Sequence, residues 1–456
     1  MTAVSRMISL TLSALLLSIA GSSPTRPPAG VLIVTLDTTR ADRLPAYGYT
    51  SVATPVLDHL SREGTVFEQA VSVAPLTLPA HCSLFTGLFP MHHRVRDNAD
   101  PPLDSKWITL AGTLRMMGYH TAAFVGSDVL RADRGLARGF DAYSDGQRGS
   151  SEIVPRRSAA AVVDDAVGWL EQRNTDRFLA WVHLYDAHAP YDLPQPYRTL
   201  FADDPYLGAI AFMDAQIGRL LDVLDGSGLA NRTLIVVAGD HGESLGDHGE
   251  ESHGILVYES TLHVPLIVRT PGLARRRVSS VVRLVDVMPT VLELAGVKPP
   301  DSDGASLVSL MTGRRRDLEL EAYSESWYPR RFGWSALRSL RADRFKLIDG
   351  PQPELYDLMT DKFEMHNIIA ERPALAAAMT RRLSAVDGET RPDNWPRATT
   401  ITAPVDERLA ALGYVASGSN GSVGPRARAA NPRDHIAEYN RIVRRRTSGA
   451  FSSIEW

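Results

Sequence analysis

Short, uninterrupted runs of Val, Ile and Leu recur along the first 270 residues, and each ends at or near a polar residue or glycine. Runs of this length and composition predict strands that are buried on both faces. Between them, residues 158–172 and 206–224 place apolar side chains at helical spacing. This alternation predicts an α/β fold whose mainly parallel sheet is flanked by helices. The predicted strands are residues 31–36, 121–125, 178–184, 234–238 and 264–268.

The pattern changes near residue 300, where prolines and polar residues at 299–304 interrupt the alternation. Short segments follow at 322–325, 334–339, 345–348 and 355–358, which predict a smaller C-terminal antiparallel subdomain closed by a helix at 374–386. Residues 416–425 are rich in Gly and Ser, which is typical of a linker. The predicted organisation is a signal peptide at 1–23, an α/β core at 30–300, the subdomain at 301–387, and a linker and tail, partly disordered, at 388–456.

The N-terminus predicts export. Arg6 precedes an apolar run at residues 7–19, which is shorter than the roughly 20 residues of a membrane span. Ser18 and Ala20 are small residues at the −3 and −1 positions of a cleavage site. We therefore expect a periplasmic or extracellular protein with no membrane span in the mature chain. An uncleaved anchor is the alternative interpretation.

Composition and charge exclude some functional classes. The chain has 49 basic and 53 acidic side chains and a net charge of −4, so nothing indicates a nucleic-acid partner or a broad membrane-binding surface. The hydrophobic fraction of 44% fits a folded protein. Cys82 is the only cysteine of the chain, which excludes an internal disulfide and a cysteine-rich metal cluster.

Chemically versatile side chains follow the predicted strands. Asp37 follows one strand, and Asp240 and His241 follow another. In open parallel sheets the ligand site lies beyond the carboxyl ends of the strands, so we expect these residues to lie close together. His241, His248 and His253 fall within 13 residues, among carboxylates and glycines. Carboxylate oxygen and imidazole nitrogen suit Zn²⁺ or Mn²⁺, so this region predicts a metal or anion site.

Two further regions have two interpretations each. Thr77 precedes Leu-Pro and a predicted helix that ends at Gly87, so its side chain could cap that helix. In the same place the hydroxyl would lie in a field that favours an anion, and a bound cation would make it a nucleophile. His183, Asp186 and His188 surround another strand end. A lone histidine is usually structural, but this one lies at the same sheet edge as the other candidate residues, which favours a functional role.

Seven segments are informative when they are taken together in chain order. They are LDTTRADRLPAYGY (36–49), TLPAHCSLFTGLFP (77–90), HLYDAHAPY (183–191), GDHGESLGDHG (239–249), LHVPLIVRTPG (262–272), RLVDVMPTVLELAGVKPPDSDGASL (283–307) and PELYDLMTDKFEMHNI (353–368). This set resembles the sulfatase family of the alkaline-phosphatase superfamily. The resemblance covers residues 30–385 and implies an alkaline-phosphatase-like core and a metal-dependent hydrolase with its nucleophile at the start of a helix. In the family's sulfatases this nucleophile is formylglycine, made from Cys or Ser in a C-x-P-x-R motif.

The chain departs from that motif. Aligning the shared proline and the closing Thr-Gly puts the nucleophile at Thr77, with His81 where the arginine would stand. Cys82 is followed by neither proline nor arginine at the motif spacing, so we interpret it as a small buried helix residue and expect no formylglycine. Threonine cannot be oxidised to an aldehyde, because its Cβ carries a methyl group. Thr77 would therefore attack directly.

The resemblance implies a ligand set and roles. Asp37, Thr77, Asp240 and His241 would bind one divalent cation, and Thr38 in place of a second acidic residue favours Mn²⁺ or Zn²⁺ over Ca²⁺. One of His188 and His253 would stabilise developing charge and the other would protonate the leaving group. His81 would help to hold the nucleophile. Asp186 and His248 are weaker candidates for a second metal.

These points predict a hydrolase or transferase of sulfate or phosphate esters that forms a covalent intermediate on Thr77. A threonine nucleophile at position 77 would resemble the threonine nucleophiles of the superfamily's phosphodiesterases, phosphoglycerol transferases and phosphoethanolamine transferases. Phosphoesters are therefore the favoured substrates. The substrate would be a small molecule or a glycan- or lipid-linked ester. The alternatives are a sulfatase that works without formylglycine and a non-catalytic protein that binds a metal or an anion.

Overall fold

The computed structural model describes residues 27–146, 156–173, 177–386 and 430–447. Its main sheet runs in the order β4-β3-β5-β1-β6-β8-β2-β7, with β9 paired to β2. The strands are β1 Gly30–Leu36, β2 Thr65–Val71, β3 His120–Val125, β4 Ala142–Ser144, β5 Phe178–Leu184, β6 Thr233–Gly239, β7 His263–Val264, β8 Leu266–Arg269 and β9 Arg276–Arg283.

Strand β1 lies at the centre of the sheet, parallel to β5 on one side and to β6 on the other. All seven of its residues are buried, because its side chains alternate between two apolar layers. Val31 and Ile33 join one hydrophobic cluster, and Leu32 and Val34 join the other. A strand buried on both faces has no polar face, which explains the continuous apolar run in the sequence.

Helices cover both faces of the sheet. Helices α5 and α7 pack against each other and belong to the layer with Leu32, whereas α2, α4 and α9 contribute to the layer with Val31. The helices are α1 Pro55–Glu63, α2 Thr77–Thr86, α3 Pro90–His93, α4 Leu110–Met116, α5 Ala159–Leu170, α6 Tyr197–Leu200, α7 Pro205–Gly226, α8 Glu259–Leu262, α9 Val287–Leu294, α10 Val308–Met311, α11 Pro373–Val386 and α12 Ile436–Thr447.

A second, four-stranded sheet follows in the chain and is antiparallel throughout. Its strands pack with α11 in a third hydrophobic cluster that includes Leu340, Leu347 and Met379. The predicted fold class, an α/β core with a smaller antiparallel sheet, is therefore confirmed. The strands are β10 Glu321–Ser326, β11 Leu337–Ala342, β12 Phe345–Asp349 and β13 Glu354–Asp357.

Two differences from the predicted elements have clear causes. Residues 264–268 form β7 and β8 rather than one strand, because Pro265 has no N–H to donate to the ladder. The strand predicted at 334–339 begins instead at Leu337, and Trp334 forms an isolated bridge with Ala430. That bridge joins the second sheet to the C-terminal segment 430–447.

The predicted signal peptide at 1–23 lies outside the described residues. Within the part of the chain that the structure describes, no helix has both the length and the apolar character needed to cross a bilayer. Residues 430–447 belong to the predicted tail, and they form a 3₁₀ turn, Pro432–His435, followed by α12.

Candidate active site

The pairing of β1 with β6 brings two acidic residues side by side. Leu36 is in register with Gly239, so Asp37 and Asp240 follow adjacent strands at the same edge of the sheet. Both are fully buried, as is His241. One side-chain ligand atom from each of the three lies within 4.8 Å of the other two. This arrangement is the one expected at the carboxyl ends of parallel strands.

Backbone donors orient the Asp240 carboxylate. Oδ1 accepts the N–H of His241 at 2.7 Å and the N–H of Thr38 at 3.2 Å. Thr38 has φ of 49°, a left-handed value that is unusual for a β-branched residue. In this conformation its N–H donates to the Asp240 carboxylate. Oδ2 accepts no hydrogen bond from any described residue. One oxygen is thus fixed, and the other is left for a ligand.

Asp37 has even less compensation for its burial. Neither of its carboxylate oxygens accepts a hydrogen bond from the described residues, although Thr77 and His183 border it. Burial raises the pKa of Asp37 to about 7, against the opposing effect of His241. Buried carboxylate oxygens without donors are costly unless a cation compensates them. The donor set therefore fits a divalent metal ion.

His241 is held in one tautomer. Its Nδ1 lies 3.0 Å from the carbonyl oxygen of Gly242, which can only accept, so Nδ1 carries the proton. Nε2 faces the Thr77 hydroxyl, 3.2 Å away. Burial lowers the pKa of His241, but the Asp240 and Asp37 carboxylates outweigh it and raise the pKa above its usual value. A backbone carbonyl that fixes the second nitrogen in this way is typical of histidines that bind metals.

Thr77 is the first residue of α2, and Leu76 occupies the capping position. The Thr77 side chain is fully buried and does not cap the helix, so the capping interpretation of this residue is wrong. Instead, the Leu78 N–H donates to Asn98 Oδ1 at 2.9 Å. The Thr77 hydroxyl is therefore free to face Asp37 and His241 at the positive end of the helix.

His81 anchors the main chain of Thr77. Its Nδ1–H donates to the Thr77 carbonyl at 2.7 Å. Its Nε2 accepts from the Thr35 hydroxyl at 3.0 Å, and Trp181 Nε1–H donates to the same hydroxyl at 2.9 Å. Burial lowers the pKa of His81 to about 3, so the ring is neutral. A neutral, doubly hydrogen-bonded ring therefore stands at the position assigned to an arginine by the resemblance.

The sequence assigns no specific role to His183, but the structure places this residue at the centre of the site. It is in register with Thr35 of β1, and its Nε2 is 3.1 Å from Asp37 Oδ2. It also forms a second possible ligand group with His81 and Asp240. The signal that identifies it is a histidine inside an otherwise apolar strand, because a fully buried imidazole needs a polar partner.

His188 and His253 come together beside His241. The rings of His253 and His241 are 4.5 Å apart, and those of His188 and His253 are 4.9 Å apart. Burial holds the pKa of both His188 and His253 well below the usual range. Glu243 Oε1 lies 3.1 Å from His253 Nδ1. Glu243 received no role from the sequence, although it belongs to the same Asp-His-Gly-Glu run.

Arg40 is a second buried residue that sequence reasoning did not single out. Its Nη1 donates to the carbonyls of Glu243 and Ser244, at 3.1 and 3.2 Å, and pairs with Asp247 at 2.8 Å. These contacts hold the loop that follows His241. In sequence, an arginine next to an acidic residue is typical of a solvent-exposed surface. Only the burial of Arg40 in the structure shows that it holds this loop.

The two weaker metal candidates lie elsewhere. Asp186 Oδ2 accepts the Ala159 N–H at 2.8 Å at the start of α5. His248 stacks on Tyr258, with ring centroids 3.6 Å apart, and its Nε2 is bonded to a backbone carbonyl. Neither residue belongs to the possible ligand groups of the described chain, so the structure does not support a second metal there. Cys82 is buried in α2, as expected for a small packing residue.

Comparisons with known proteins identify the family of the chain. The family model described as Sulfatase matches residues 30–297, which is more than half of the chain. The chain belongs to the sulfatase family. A second model, N-sulphoglucosamine sulphohydrolase, C-terminal, matches residues 246–388. Members of this family are hydrolases that act on ester bonds, so the chain is placed in that class of the alkaline-phosphatase superfamily.

Individual relatives are distant but cover most of this sulfatase-family chain. The ulvan-active sulfatase of Formosa agariphila is 26% identical over 76% of this chain and 78% of its own length. Arylsulfatase K of Mus musculus is 25% identical over 74% of this chain and 76% of its own length. The phosphonate monoester hydrolase of Agrobacterium radiobacter superposes with a TM-score of 0.68 at 24% identity, covering 80% of this chain and 96% of that one. That last likeness concerns the fold alone.

Proposed function

We propose that this sulfatase-family protein is a metal-dependent hydrolase or transferase of sulfate or phosphate esters, with Thr77 as the nucleophile and phosphoesters favoured. The observation that carries the proposal is the place of the Thr77 hydroxyl. It lies at the N-terminus of α2, 3.2 Å from His241 Nε2 and beside Asp37, whose two buried carboxylate oxygens accept no hydrogen bond from the described residues; Asp240 Oδ2 accepts none either. A hydroxyl surrounded by carboxylate oxygens and an imidazole nitrogen fits a cation ligand better than a structural contact.

The residues that would hold the cation are Asp37, Thr77, Asp240 and His241. Three oxygen donors and one imidazole suit Mn²⁺ or Zn²⁺, whereas Ca²⁺ prefers six to eight oxygen ligands. When bound, the cation would supply positive charge that polarises the ester and favours the ionised hydroxyl. Asp240 is already oriented for this role by two backbone donors, and His241 by the Gly242 carbonyl.

The side chains of this site can perform both steps of a double displacement, namely formation and breakdown of a covalent ester. Thr77 Oγ, after losing its proton to solvent, forms a bond to phosphorus or sulfur as the bond from that atom to the ester oxygen breaks. The leaving oxygen takes its proton from His188 or His253, and the other histidine stabilises the charge on the remaining oxygens. The negative charge of the bound ester raises the pKa of these histidines from the low range that burial sets, so that one of them carries the proton. Water then attacks the covalent ester and gives one proton to the histidine that lost one, while the bond to Thr77 Oγ breaks and its ionised oxygen is regenerated. An acceptor hydroxyl in place of water would make the reaction a transfer.

Phosphoesters are favoured because of the chemistry of the nucleophile. A sulfate on formylglycine leaves by elimination from the aldehyde hydrate, and this route is closed to an ester of threonine. Relatives and neighbours are named for both classes of substrate: one is an ulvan-active sulfatase, one was solved with D-glucosamine-2-N,6-O-disulfate as its substrate, and two are phosphonate monoester hydrolases. A glycan-linked or small-molecule ester is consistent with these names, whereas a lipid-linked ester rests on the resemblance to the threonine-dependent transferases alone.

The test uses the purified protein supplied with Mn²⁺ or Zn²⁺. An aryl sulfate, an aryl phosphate monoester and an aryl phosphodiester are compared in the wild type and in Thr77→Ala. Thr86→Ala is the matched control, because it removes another buried hydroxyl of α2 that only contacts the Cys82 carbonyl and the Leu88 N–H. We expect phosphoester turnover that Thr77→Ala abolishes and Thr86→Ala retains.

Other outcomes would lead to different conclusions. Sulfate turnover that depends on Thr77 would identify a sulfatase that works without formylglycine. Stoichiometric metal binding with no turnover and no covalent adduct on Thr77, measured by mass spectrometry, would identify a non-catalytic binder. Turnover that survives in Thr77→Ala would refute the proposed nucleophile.

A further inference from the structure

The C-terminal segment 430–447 contacts the loop that carries His253, although it lies outside both family matches, which end at residues 297 and 388. The segment consists of the 3₁₀ turn Pro432–His435 and helix α12. Nothing in the family assignment therefore predicts that this part of the chain reaches the candidate active site.

Helix α12 holds every second residue of the loop segment 249–253. The Tyr439 hydroxyl donates to the backbone carbonyl of His253 at 2.9 Å. Asn440 Nδ2 donates to the Gly249 carbonyl at 2.7 Å, and Asn440 Oδ1 accepts the Glu251 N–H at 3.2 Å. Two neighbouring side chains thus fix three backbone groups of one loop. One turn further along, Arg444 pairs with the Glu251 carboxylate.

The helix is itself anchored to the antiparallel subdomain. Tyr439 is only 2% exposed and packs against Tyr328. His435 stacks on Trp334, with ring centroids 5.1 Å apart, and Arg433 pairs with Glu354 at 3.0 Å. The segment therefore joins the loop of the main domain to the second sheet. A helix that merely covered the surface would not place a buried hydroxyl on the backbone of a site residue.

We propose that Tyr439 and Asn440 are positioning residues that set the location of His253 for the reaction. This inference rests on the proposed function, in which His253 transfers a proton or stabilises charge. Glu243 restrains the His253 ring at Nδ1, and Tyr439 restrains the backbone of the same residue. Precise placement of a reacting group requires that both the side chain and the backbone of its residue are restrained.

A double-mutant cycle tests the proposal. Turnover of the best substrate is measured in the wild type, Tyr439→Phe, His253→Ala and the double variant. Tyr119→Phe is the matched control, because Tyr119 is also buried and its hydroxyl donates to a backbone carbonyl, that of Pro28, at 2.9 Å. We expect Tyr439→Phe to lower kcat about tenfold with little change in KM, since misplacing a reacting group affects the chemical step. In the His253→Ala background the same change has no further effect, and Tyr119→Phe leaves kcat unchanged.

Several results would overturn the inference. An equal loss of kcat in both backgrounds would show that Tyr439 does not act through His253. Unchanged kcat in Tyr439→Phe, or in His253→Ala, would remove its basis. Failure of the proposed function gives a different signature, namely activity that survives in Thr77→Ala.

A second measurement does not depend on turnover. Asn440→Ala removes both hydrogen bonds to Gly249 and Glu251, so amide hydrogen exchange in residues 249–254 should become faster. Tyr119→Phe should leave exchange in that segment unchanged. Unaltered exchange in Asn440→Ala would refute the claim that α12 holds the loop.

Discussion

If the proposed cation is kept out of the site, the free energy of unfolding should depend strongly on pH through Asp37. The perturbation is a chelator at about pH 5 and about pH 8, applied to the wild type and to Asp37→Asn. The pKa of Asp37 rises from 3.8 to about 7 on burial. A raised pKa means that the folded state favours the protonated carboxyl, so its stabilising contribution is complete below about pH 4 and is lost as the pH rises through about 7.

The magnitude follows from the same values. The difference between 3.8 and about 7 corresponds to roughly 4 kcal/mol of unfolding free energy. Part of this loss has already occurred at pH 5, so chemical unfolding in the chelator should show the wild type losing about 2 to 3 kcal/mol, relative to Asp37→Asn, between about pH 5 and pH 8. Added metal should stabilise the wild type more than Asp37→Asn, which lacks one proposed ligand, because a cation at 100 times its Kd stabilises the protein that binds it by about 2.7 kcal/mol.

Asp186→Asn separates this effect from ordinary burial. Burial also raises the pKa of Asp186 to about 7, but this residue contacts the start of α5 rather than the site. We expect Asp186→Asn to reduce the pH dependence in the chelator while keeping the full response to metal. The reasoning is refuted if wild-type stability in the chelator, relative to Asp37→Asn, is the same at both pH values, or if metal stabilises Asp37→Asn as much as the wild type.

Three further predictions concern residues around the site. Cys82→Ala should retain full turnover and lose about 1 kcal/mol of stability, because the cysteine only fills space; lost activity with an intact fold would revive a role for its sulfur. Thr35→Val should lower kcat with little change in KM, because it removes the hydroxyl that is hydrogen-bonded to the ring of His81. An unchanged kcat would contradict the anchoring role of His81. Glu325→Gln should lower the unfolding free energy by about 3 kcal/mol, because it removes the negative charge that pairs with the buried Arg96 guanidinium. Thermal unfolding with no shift in Tm would contradict this.

The sequence predicted the centre of the fold well because its signals were local. Strands such as β1 and β5 are buried on both faces, so each appears as one apolar run. Strand β9 was missed because it begins with exposed Arg276 and Arg277, which give it no such run. Strand β2 was missed for a similar reason, because a glutamate and a glutamine interrupt its apolar run.

Within the site, residue types were more predictable than their partners. Asp37, Asp240 and His241 could be expected together, because they follow neighbouring strands. The role of His183 depends on its register with β1, and that of Arg40 on burial, and neither is visible along the chain. The contact of Tyr439 with the His253 carbonyl joins residues 186 positions apart, and no spacing in the sequence indicates it.

The central place of β1 has a consequence for how the proposed metal site forms. Gly30 pairs with Phe178 on one side and with Thr233 on the other, so the sheet brings distant parts of the chain together. Asp37 and Asp240 become neighbours only when β1 pairs with β6. Pairing across such a high sequence separation costs loop-closure entropy before it gains contacts, so the two carboxylates meet only where this part of the sheet has formed. The affinity of the proposed site for a cation is therefore a property of the paired strands, and any substitution that destabilises β1 against β6 should also weaken metal binding.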